Sequence, residues 1–142
     1  MKVYLDTNVL LDVLMESREN NLDSATILKV AKAGYCEAVI STKSILDSYY
    51  VSVEGSKTPL GIFKDSLNVI LSVVETIAIE EKDIRAAIIS TNEDFEDACQ
   101  IECATVAGCD CIISSDKKMK RDSALKVYTP MEFCNKIFGP WH

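Results

Sequence analysis

Short apolar segments alternate with amphipathic helices along the chain, and this alternation constrains the fold more than any other feature of the sequence. Val3 to Leu5 is a run of β-forming residues, and the polar residues after it can cap a helix running to about Glu16. Cys36 to Ile40 repeats the pattern, followed by a helix opened by Ser41 or Thr42. Repeated strand-to-helix steps predict an α/β fold with a parallel sheet covered on both faces.

The rest of the chain continues this order. The residue spacing predicts helices over about 21–33, 59–73, 80–90 and 94–107, strands near 76–78, 111–113 and 125–128, and a last helix begun by Pro130. Gly34 and Gly108 are stop signals for two of these helices, and residues 114–123 are expected to form a polar, basic loop. Two helices are predicted to bury apolar faces, one with Ile45, Leu46, Tyr49 and Val53 and the other with Ile84, Ala87 and Ile88.

Length and composition indicate one globular domain over residues 1–142. No linker rich in Pro, Gly or Ser divides the chain, and 48% of its residues are hydrophobic. An aspartate at position 6 interrupts any secretory signal, and the longest apolar region, around Val69 to Ile79, is too polar to span a membrane. We therefore expect a cytoplasmic protein without membrane association, whose six cysteines are reduced thiols serving as small hydrophobic residues.

Two aspartates follow predicted strands at the carboxyl edge of the sheet, where open α/β sheets bind their ligands. Asp6 comes directly after the first strand, and Asp116 follows the strand ending at Ile113. Each aspartate also has a plain structural interpretation, since Asp6 can cap the first helix and Asp116 can belong to a turn. Position alone leaves both interpretations open.

The segment from Asp94 to Ala98 contains a more informative acid. On a helix, Asp97 shares its face with Ile101 and Ala104, so a carboxylate interrupts an apolar stripe. A buried charge needs a partner such as a cation or a shared polar pocket. We interpret Asp94 as the helix cap, and Glu93, Glu96 and Glu102 as solvated charges.

Asp47 lies early in the helix after the second strand, near the same edge of the sheet, although an exposed helical aspartate is an equal alternative. Carboxylates gathered at one edge repel each other unless they are protonated or neutralised, and bound Mg²⁺ or Mn²⁺ is the ordinary solution. A net charge of −7 argues against broad electrostatic coating of nucleic acid but suits a cation site.

The sequence lacks the residues or motifs that several classes of catalytic site require. The only histidine, His142, is the last residue, so triads that need a histidine base are not expected. Neither a glycine-rich phosphate loop nor a dinucleotide motif is present. Cys99, Cys103, Cys109 and Cys111 differ in spacing from paired zinc hooks. Of the catalytic classes considered, hydrolysis by a metal-activated water is the one that the sequence still allows.

A basic segment follows Asp116 in this otherwise acidic chain. It contains Lys117, Lys118, Lys120 and Arg121. These side chains can contact phosphates beside the acidic cluster, or they can form a solvated connection. The sequence favours neither interpretation.

Leu5 to Asp12, with the sequence LDTNVLLD, resembles the opening signature of PIN domains. Four later segments of the chain resemble further PIN-domain blocks in the same order: residues 41–50, 94–98, 112–116 and 128–133. The resemblance implies a three-layer α/β/α sandwich with a central, mainly parallel sheet. It also implies an endoribonuclease that hydrolyses RNA phosphodiester bonds with Mg²⁺ or Mn²⁺, as in the toxins of many toxin-antitoxin pairs.

Carried over by this resemblance, Asp6, Asp97 and Asp116 fall on the family's acidic positions and are the expected catalytic and metal-binding residues. Asp47 falls where many members have glutamate, and it is expected to assist catalysis. The expected substrate-binding residues are Asn8, which also supports Asp6, Ser114, which stands where threonine is usual, Lys117 and Lys118. The partners considered are RNA, an antitoxin protein and a second copy in a homodimer.

Two alternative functions remain open at this point. One is a catalytically silent module of the same fold that binds nucleic acid or protein, which the shorter acid at Asp47 favours. The other is a phosphatase resembling the haloacid dehalogenase family. Such an enzyme needs a second aspartate two residues after Asp6, where this chain has Asn8, and an amide cannot act as the general acid.

Overall fold

A computed structural model describes residues 1–140 of the chain, so His142 lies outside the described residues. Five parallel strands form one sheet in the order β3-β2-β1-β4-β5. The strands are β1 (Lys2–Leu5), β2 (Glu37–Ser41), β3 (Val74–Ile77), β4 (Cys111–Ile113) and β5 (Lys126–Tyr128). The helices are α1 (Thr7–Leu14), α2 (Asn21–Lys32), α3 (Thr42–Tyr49), α4 (Leu60–Leu71), α5 (Glu81–Ile89), α6 (Phe95–Val106), α7 (Lys117–Asp122) and α8 (Pro130–Phe138).

The sheet separates two apolar cores, because successive side chains of a strand point to opposite faces. Val3 and Leu5 of β1 pack into one core, while Tyr4 packs into the other. The neighbouring strands follow the same alternation, with Ile40 in the first core and Val39 in the second. Helices cover both faces, so the predicted three-layer α/β/α sandwich is confirmed.

Helices begin directly after several strand ends, and polar side chains at these junctions cap them. Asp6 caps α1, Ser41 caps α3, Asp116 caps α7 and Thr129 caps α8 in a reciprocal capping box. These strand-to-helix junctions lie along the carboxyl edge of the sheet. That edge therefore concentrates side-chain oxygen atoms.

The helix after β2 confirms only part of the predicted apolar face, since Ile45 packs against the first core but the most buried positions are serines. Its buried residues are Ser44 and Ser48, and the face continues to Ser52 in a π-helical segment, Tyr50–Gly55. Leu46 is instead 62% exposed. The hydroxyls of Ser48 and Ser52 each donate to the carbonyl four residues earlier. Buried serine hydroxyls are therefore satisfied locally, and their small size fits the close contact with α1.

Two further expectations were wrong in detail. Residues 117–122 form the short helix α7 rather than a loop, because Asp116 caps it and the side chain of Met119 is fully buried. In α5, Ala87 is buried together with Asp83, whereas Ile84 and Ile88 are exposed. The buried face of α5 thus includes fewer apolar residues than the spacing indicated. The large apolar side chains of Ile84 and Ile88 remain at the surface.

The expectations for two glycines and for the cysteines were confirmed. Gly34 and Gly108 adopt φ values of +87° and +76° just after α2 and α6, a conformation that glycine reaches without strain. All six cysteines are buried free thiols. None of the helices in residues 1–140 combines the length and apolar character needed to cross a bilayer.

Candidate active site

Asp6 joins the end of β1 to the start of α1 and is only 6% exposed. Its Oδ1 atom accepts a 2.7 Å hydrogen bond from the backbone N–H of Thr7, so the predicted capping role is real. Its own backbone N–H donates to Ile113 of β4 at 3.0 Å. The carboxylate is thus held where the neighbouring strands β1 and β4 end. Because capping uses only the Oδ1 atom, it does not exclude a functional role for Asp6.

The second oxygen of Asp6 is held by side chains from two segments. Oδ2 accepts hydrogen bonds from Ser114 Oγ at 2.7 Å and from Asn8 Nδ2 at 3.0 Å. Asn8 Oδ1 in turn accepts from the backbone N–H of Ser115 at 3.2 Å. Asn8 and Ser114 therefore orient Asp6, as expected of Asn8, while their contact with a substrate stays a prediction.

Asp116 caps α7 by accepting from the backbone N–H of Lys118 at 2.9 Å. Its own backbone N–H donates to Ser114 Oγ at 2.9 Å, so the same hydroxyl contacts both aspartate segments. Burial raises the pKa of Asp6, and the negative charge of Asp116 raises it further against the hydrogen bonds that lower it. Asp6 and Asp116 are thus electrostatic neighbours.

Asp97 lies in the first turn of α6, on the buried face with Ile101 and Ala104 that the sequence predicted. Its Oδ2 atom is buried and has no hydrogen-bond partner. Burial, followed by the charges of Asp94, Asp116 and Asp6, raises the pKa of Asp97 to about 7. A buried carboxylate oxygen that lacks a hydrogen-bond partner and lies near other carboxylates is energetically unfavourable, and a bound cation would stabilise it.

The carboxylates of Asp6, Asp97 and Asp116 suit a hard divalent cation. Such ions prefer oxygen ligands, and a bound cation would neutralise the repulsion between the three negative charges. Within residues 1–140, however, no three potential ligand groups are close enough to form a ready-made metal site. Hydrogen bonds from backbone and hydroxyl donors occupy oxygens of Asp6 and Asp116 instead. Metal binding by these residues therefore stays a prediction that the chemistry of the site supports.

Asp47 lies at the rim of this cluster. Its carboxylate is paired with the ammonium group of Lys43, which also lies 3.3 Å from Glu96. Lys43 thereby links Asp47 to the residue next to Asp97. The expected catalytic role of Asp47 stays a prediction, and in this structure a lysine already neutralises its charge.

A PIN-domain family model matches residues 2–118, most of the chain and all three aspartates of the cluster. This chain belongs to the PIN-domain family.

Ribonuclease VapC1 of Aquifex aeolicus (strain VF5) is 31% identical to this PIN domain over 137 residues. The aligned region covers 95% of this chain and 94% of the relative. The resemblance seen in the sequence is thus confirmed at the level of the family.

Solved structures show the same fold. The toxin VapC20 of Mycobacterium tuberculosis, described as cleaving the sarcin-ricin loop, superposes with a TM-score of 0.66 at 10% identity, covering 84% of this chain and 93% of its own. VapBC2 of Rickettsia felis, bound to a DNA fragment from its promoter, superposes with a TM-score of 0.62 at 18% identity, covering 91% and 98%. At such low identities, these matches establish the architecture of the PIN domain alone.

The basic residues after Asp116 fall into two groups. Lys120 pairs with Glu132 at 2.9 Å and Arg121 with Asp122 at 3.2 Å. Lys117 and Lys118 are exposed, and within residues 1–140 neither forms a salt bridge. A cleft of about 210 Å³ is lined by Glu93, Asp94, Lys118, Arg121 and Asp122. Phosphate binding by Lys117 and Lys118 stays a prediction.

An apolar cleft of about 410 Å³ lies beside the acidic residues. It is lined by Lys43, Ile79, Ile84, Phe95, Glu96 and Cys99. Phe95 and Ile84 are exposed, as are Ile88 and Ile89 farther along α5. This PIN domain therefore carries an accessible apolar surface next to its charged site.

Sequence reasoning missed three residues near the cluster. Lys43 pairs with Asp47 and Glu96, and Gln100 is a buried amide one turn after Asp97. Tyr4 donates its hydroxyl to Gln100. Two signals were available: the polar Gln100 between the apolar residues Cys99 and Ile101, and the spacing of four residues between Lys43 and Asp47. Tyr4 had none, because only the packed sheet brings it to α6.

Proposed function

We propose that this PIN domain is a divalent-metal-dependent endoribonuclease that hydrolyses RNA phosphodiester bonds. The observation that carries the proposal is the buried Oδ2 atom of Asp97, which has no hydrogen-bond partner, in a carboxylate whose pKa is raised by burial and by the charges of Asp94, Asp116 and Asp6. The family relationship to Ribonuclease VapC1 supports RNA as the substrate. Carboxylate oxygens are the ligands that Mg²⁺ and Mn²⁺ prefer.

Each residue of the site has a distinct role in this proposal. Asp6, Asp97 and Asp116 would hold Mg²⁺ or Mn²⁺, which when bound supplies an activated water and stabilises charge on the phosphate. Asn8 and Ser114 fix the orientation of the Asp6 carboxylate by donating to its Oδ2 atom. We assign Lys117 and Lys118, together with Asn8 and Ser114, to substrate binding, since the two lysines are exposed cations near Asp116.

Asp47 assists from the rim of the site. Its pairing with Lys43 lowers the negative charge that it offers to a cation, so its contribution is smaller than that of the three central aspartates. A catalytically silent binding module is the second candidate, and this neutralised Asp47 is the observation that favours it. The amide of Asn8, which donates to Asp6, does not suit a phosphatase general acid.

The deciding experiment is an RNA cleavage assay with Mg²⁺ or Mn²⁺. Asp6→Asn and Asp97→Asn are each expected to abolish cleavage, whereas Asp65→Asn, a change of the same size at an exposed position on α4, retains it. Chelation of the metal should stop the reaction, and its return should restore it. Cleavage that persists in Asp6→Asn, or in the presence of chelator, would exclude the proposed mechanism.

We further propose that the protein is the toxin of a toxin-antitoxin pair and binds its antitoxin at the apolar cleft. The cleft offers exposed Ile84 and Phe95, which suit the apolar face of an amphipathic peptide segment. One similar solved structure is a toxin-antitoxin complex from Klebsiella pneumoniae, which supports this kind of partner. Phe95→Glu should prevent copurification with a coexpressed antitoxin while leaving RNA cleavage in place.

We place the protein in the cytoplasm, where both RNA and the reduced cysteines would be found. We also propose a homodimer, because α4 exposes Ile62, Val69 and Leu71 on its surface. Sedimentation of the purified protein tests this point. A monomer at tens of micromolar would contradict it.

A further inference from the structure

Gln100 is a buried amide in the middle of α6, and only 2% of it is exposed. It lies one turn after Asp97, so both side chains project toward the same side of the helix. A buried amide has two N–H donors and one carbonyl acceptor, and leaving them unpaired is costly. The partners of Gln100 therefore indicate what it does.

The partners define the orientation of this amide. Oε1 of Gln100 accepts a 3.0 Å hydrogen bond from the hydroxyl of Tyr4, and Nε2 donates to Glu96 at 3.4 Å. Tyr4 lies two residues before Asp6 on β1, and Gln100 lies three residues after Asp97 on α6, so their hydrogen bond joins the two segments that carry these aspartates. Ionised carboxylates only accept hydrogen bonds, so the NH₂ group must face the acids and the carbonyl must face Tyr4. Tyr4 is thus the donor to the carbonyl of this amide.

Tyr4 is itself fixed by its surroundings. It lies at the centre of β1, is 0% exposed and packs in the second core. Beneath the same edge, Ser41 donates to Ser44, and Thr7 also donates to Ser44 at 2.8 Å. Side-chain hydrogen bonds therefore join α1 to α3 and β1 to α6. Such networks hold side chains in one arrangement.

We propose that Tyr4 and Gln100 form a positioning pair, whose hydrogen bond holds the strand that leads to Asp6 against the helix that carries Asp97, so that both aspartates can share a divalent cation. This inference rests on the proposed function. Carboxylates that repel each other need rigidly held backbone segments to stay in place before a cation arrives. The bond between Tyr4 and Gln100 fixes two such segments without adding a charge that competes for the metal.

The test is a calorimetric titration of the purified full chain with Mn²⁺. Gln100→Met keeps the length and packing of the side chain but removes both hydrogen-bonding groups, and it should weaken Mn²⁺ binding by about tenfold. Tyr4→Phe should weaken it by a smaller factor. The double variant should bind no more weakly than Gln100→Met, because Tyr4 acts only through Gln100.

Ser24→Ala is the matched control, since Ser24 is equally buried and donates to Asp12, away from the acidic cluster. Thermal unfolding is recorded for every variant. Ser24→Ala should lower the melting temperature without changing Mn²⁺ affinity, which separates positioning from general stability.

Wild-type affinity in a folded Gln100→Met variant would overturn the inference. If that variant does not fold, Tyr4→Phe decides in its place, and unchanged affinity there overturns the pair. Additive losses in the double variant would also contradict it, since they would mean that the two residues act separately. Absence of Mn²⁺ binding by the wild-type protein would instead overturn the proposed function, and the positioning role with it.

Discussion

The hydroxyl of Ser114 lies 2.7 Å from Oδ2 of Asp6, although the two residues are 108 positions apart in the chain. The contact joins the carboxyl ends of β1 and β4, which are hydrogen-bonded neighbours at the centre of the sheet. The same hydroxyl oxygen accepts from the backbone N–H of Asp116. One small side chain therefore orders two acidic segments of the candidate site.

Ser114→Ala should weaken both Mn²⁺ binding and RNA cleavage by about tenfold, because Asp6 loses its shortest side-chain donor. Ser114→Thr retains the hydroxyl and should stay within about threefold of the wild type on the same reasoning. Calorimetry with Mn²⁺ and initial cleavage rates measure the two effects. Equal losses in the alanine and threonine variants would show that the hydroxyl is not the group that matters.

Asp97→Asn should stabilise the metal-free protein at alkaline pH. Burial raises the pKa of Asp97 to about 7 in the folded protein, against 3.8 for the ordinary side chain. Between these values the folded state holds a proton that the unfolded chain has lost, so stability falls as pH rises and the full cost is present above pH 7. The variant removes this cost, and its gain should be larger at pH 8 than at pH 5.

Thermal unfolding in the presence of chelator measures this effect at the two pH values. Asp65→Asn on α4 serves as the control and should show no such pH-dependent gain. A gain of the same size at pH 5 and pH 8 would mean that repulsion and desolvation at Asp97 are not its source.

Lys43→Met should strengthen Mn²⁺ binding by a factor of roughly 3, within the range of a partly exposed ion pair of about 0.2–1 kcal/mol. The change removes the cation that neutralises Asp47 and Glu96 beside Asp97. Calorimetric titration at low ionic strength measures the affinity. Lys82→Met, which removes a lysine paired with Glu80, is the control. Weaker binding in Lys43→Met would assign Lys43 a supporting role in the site instead.

Lys117→Ala and Lys118→Ala should weaken RNA binding in an Asp6→Asn background, where no cleavage is expected. If each lysine contacts one phosphate, each change should also reduce the slope of log affinity against log salt by about 0.7. Lys64→Ala on α4 is the matched control, since Lys64 is also exposed. Fluorescence anisotropy with a short labelled RNA gives both quantities. Slopes identical to that of the parent would remove these lysines from the interface.

Much of the architecture follows from local sequence patterns. The alternation of apolar strands and capped helices is enough to predict a parallel α/β sheet, and Gly34 and Gly108 mark helix ends because of their backbone freedom. Asp97 stands out for the same kind of reason, since a carboxylate on an apolar helical stripe can be recognised from spacing alone. These features depend on residues within one or two turns of each other.

Helix faces were predicted less well. On α3, Ile45 packs against the core as its spacing predicted, but Leu46 is exposed and the most buried positions are Ser44 and Ser48. Close packing against α1 favours small side chains, and the Ser48 hydroxyl bonds to the helix backbone. On α5, Ile84 and Ile88 remain at the surface. Burial is decided by the neighbouring element, and apolar spacing on one helix does not identify that neighbour.

The sequence by itself determined the fold class, the family and the acids worth testing, beginning with Asp6 at the end of the first strand. Only the tertiary structure decided which distant side chains lie beside these acids and their helices: Ser114 bonds to Asp6, and Tyr4 bonds to Gln100 one turn after Asp97. The physical reason is distance along the chain. Strand order brings β1 between β2 and β4, and contacts across about a hundred residues leave no periodic pattern in the sequence from which they could be read.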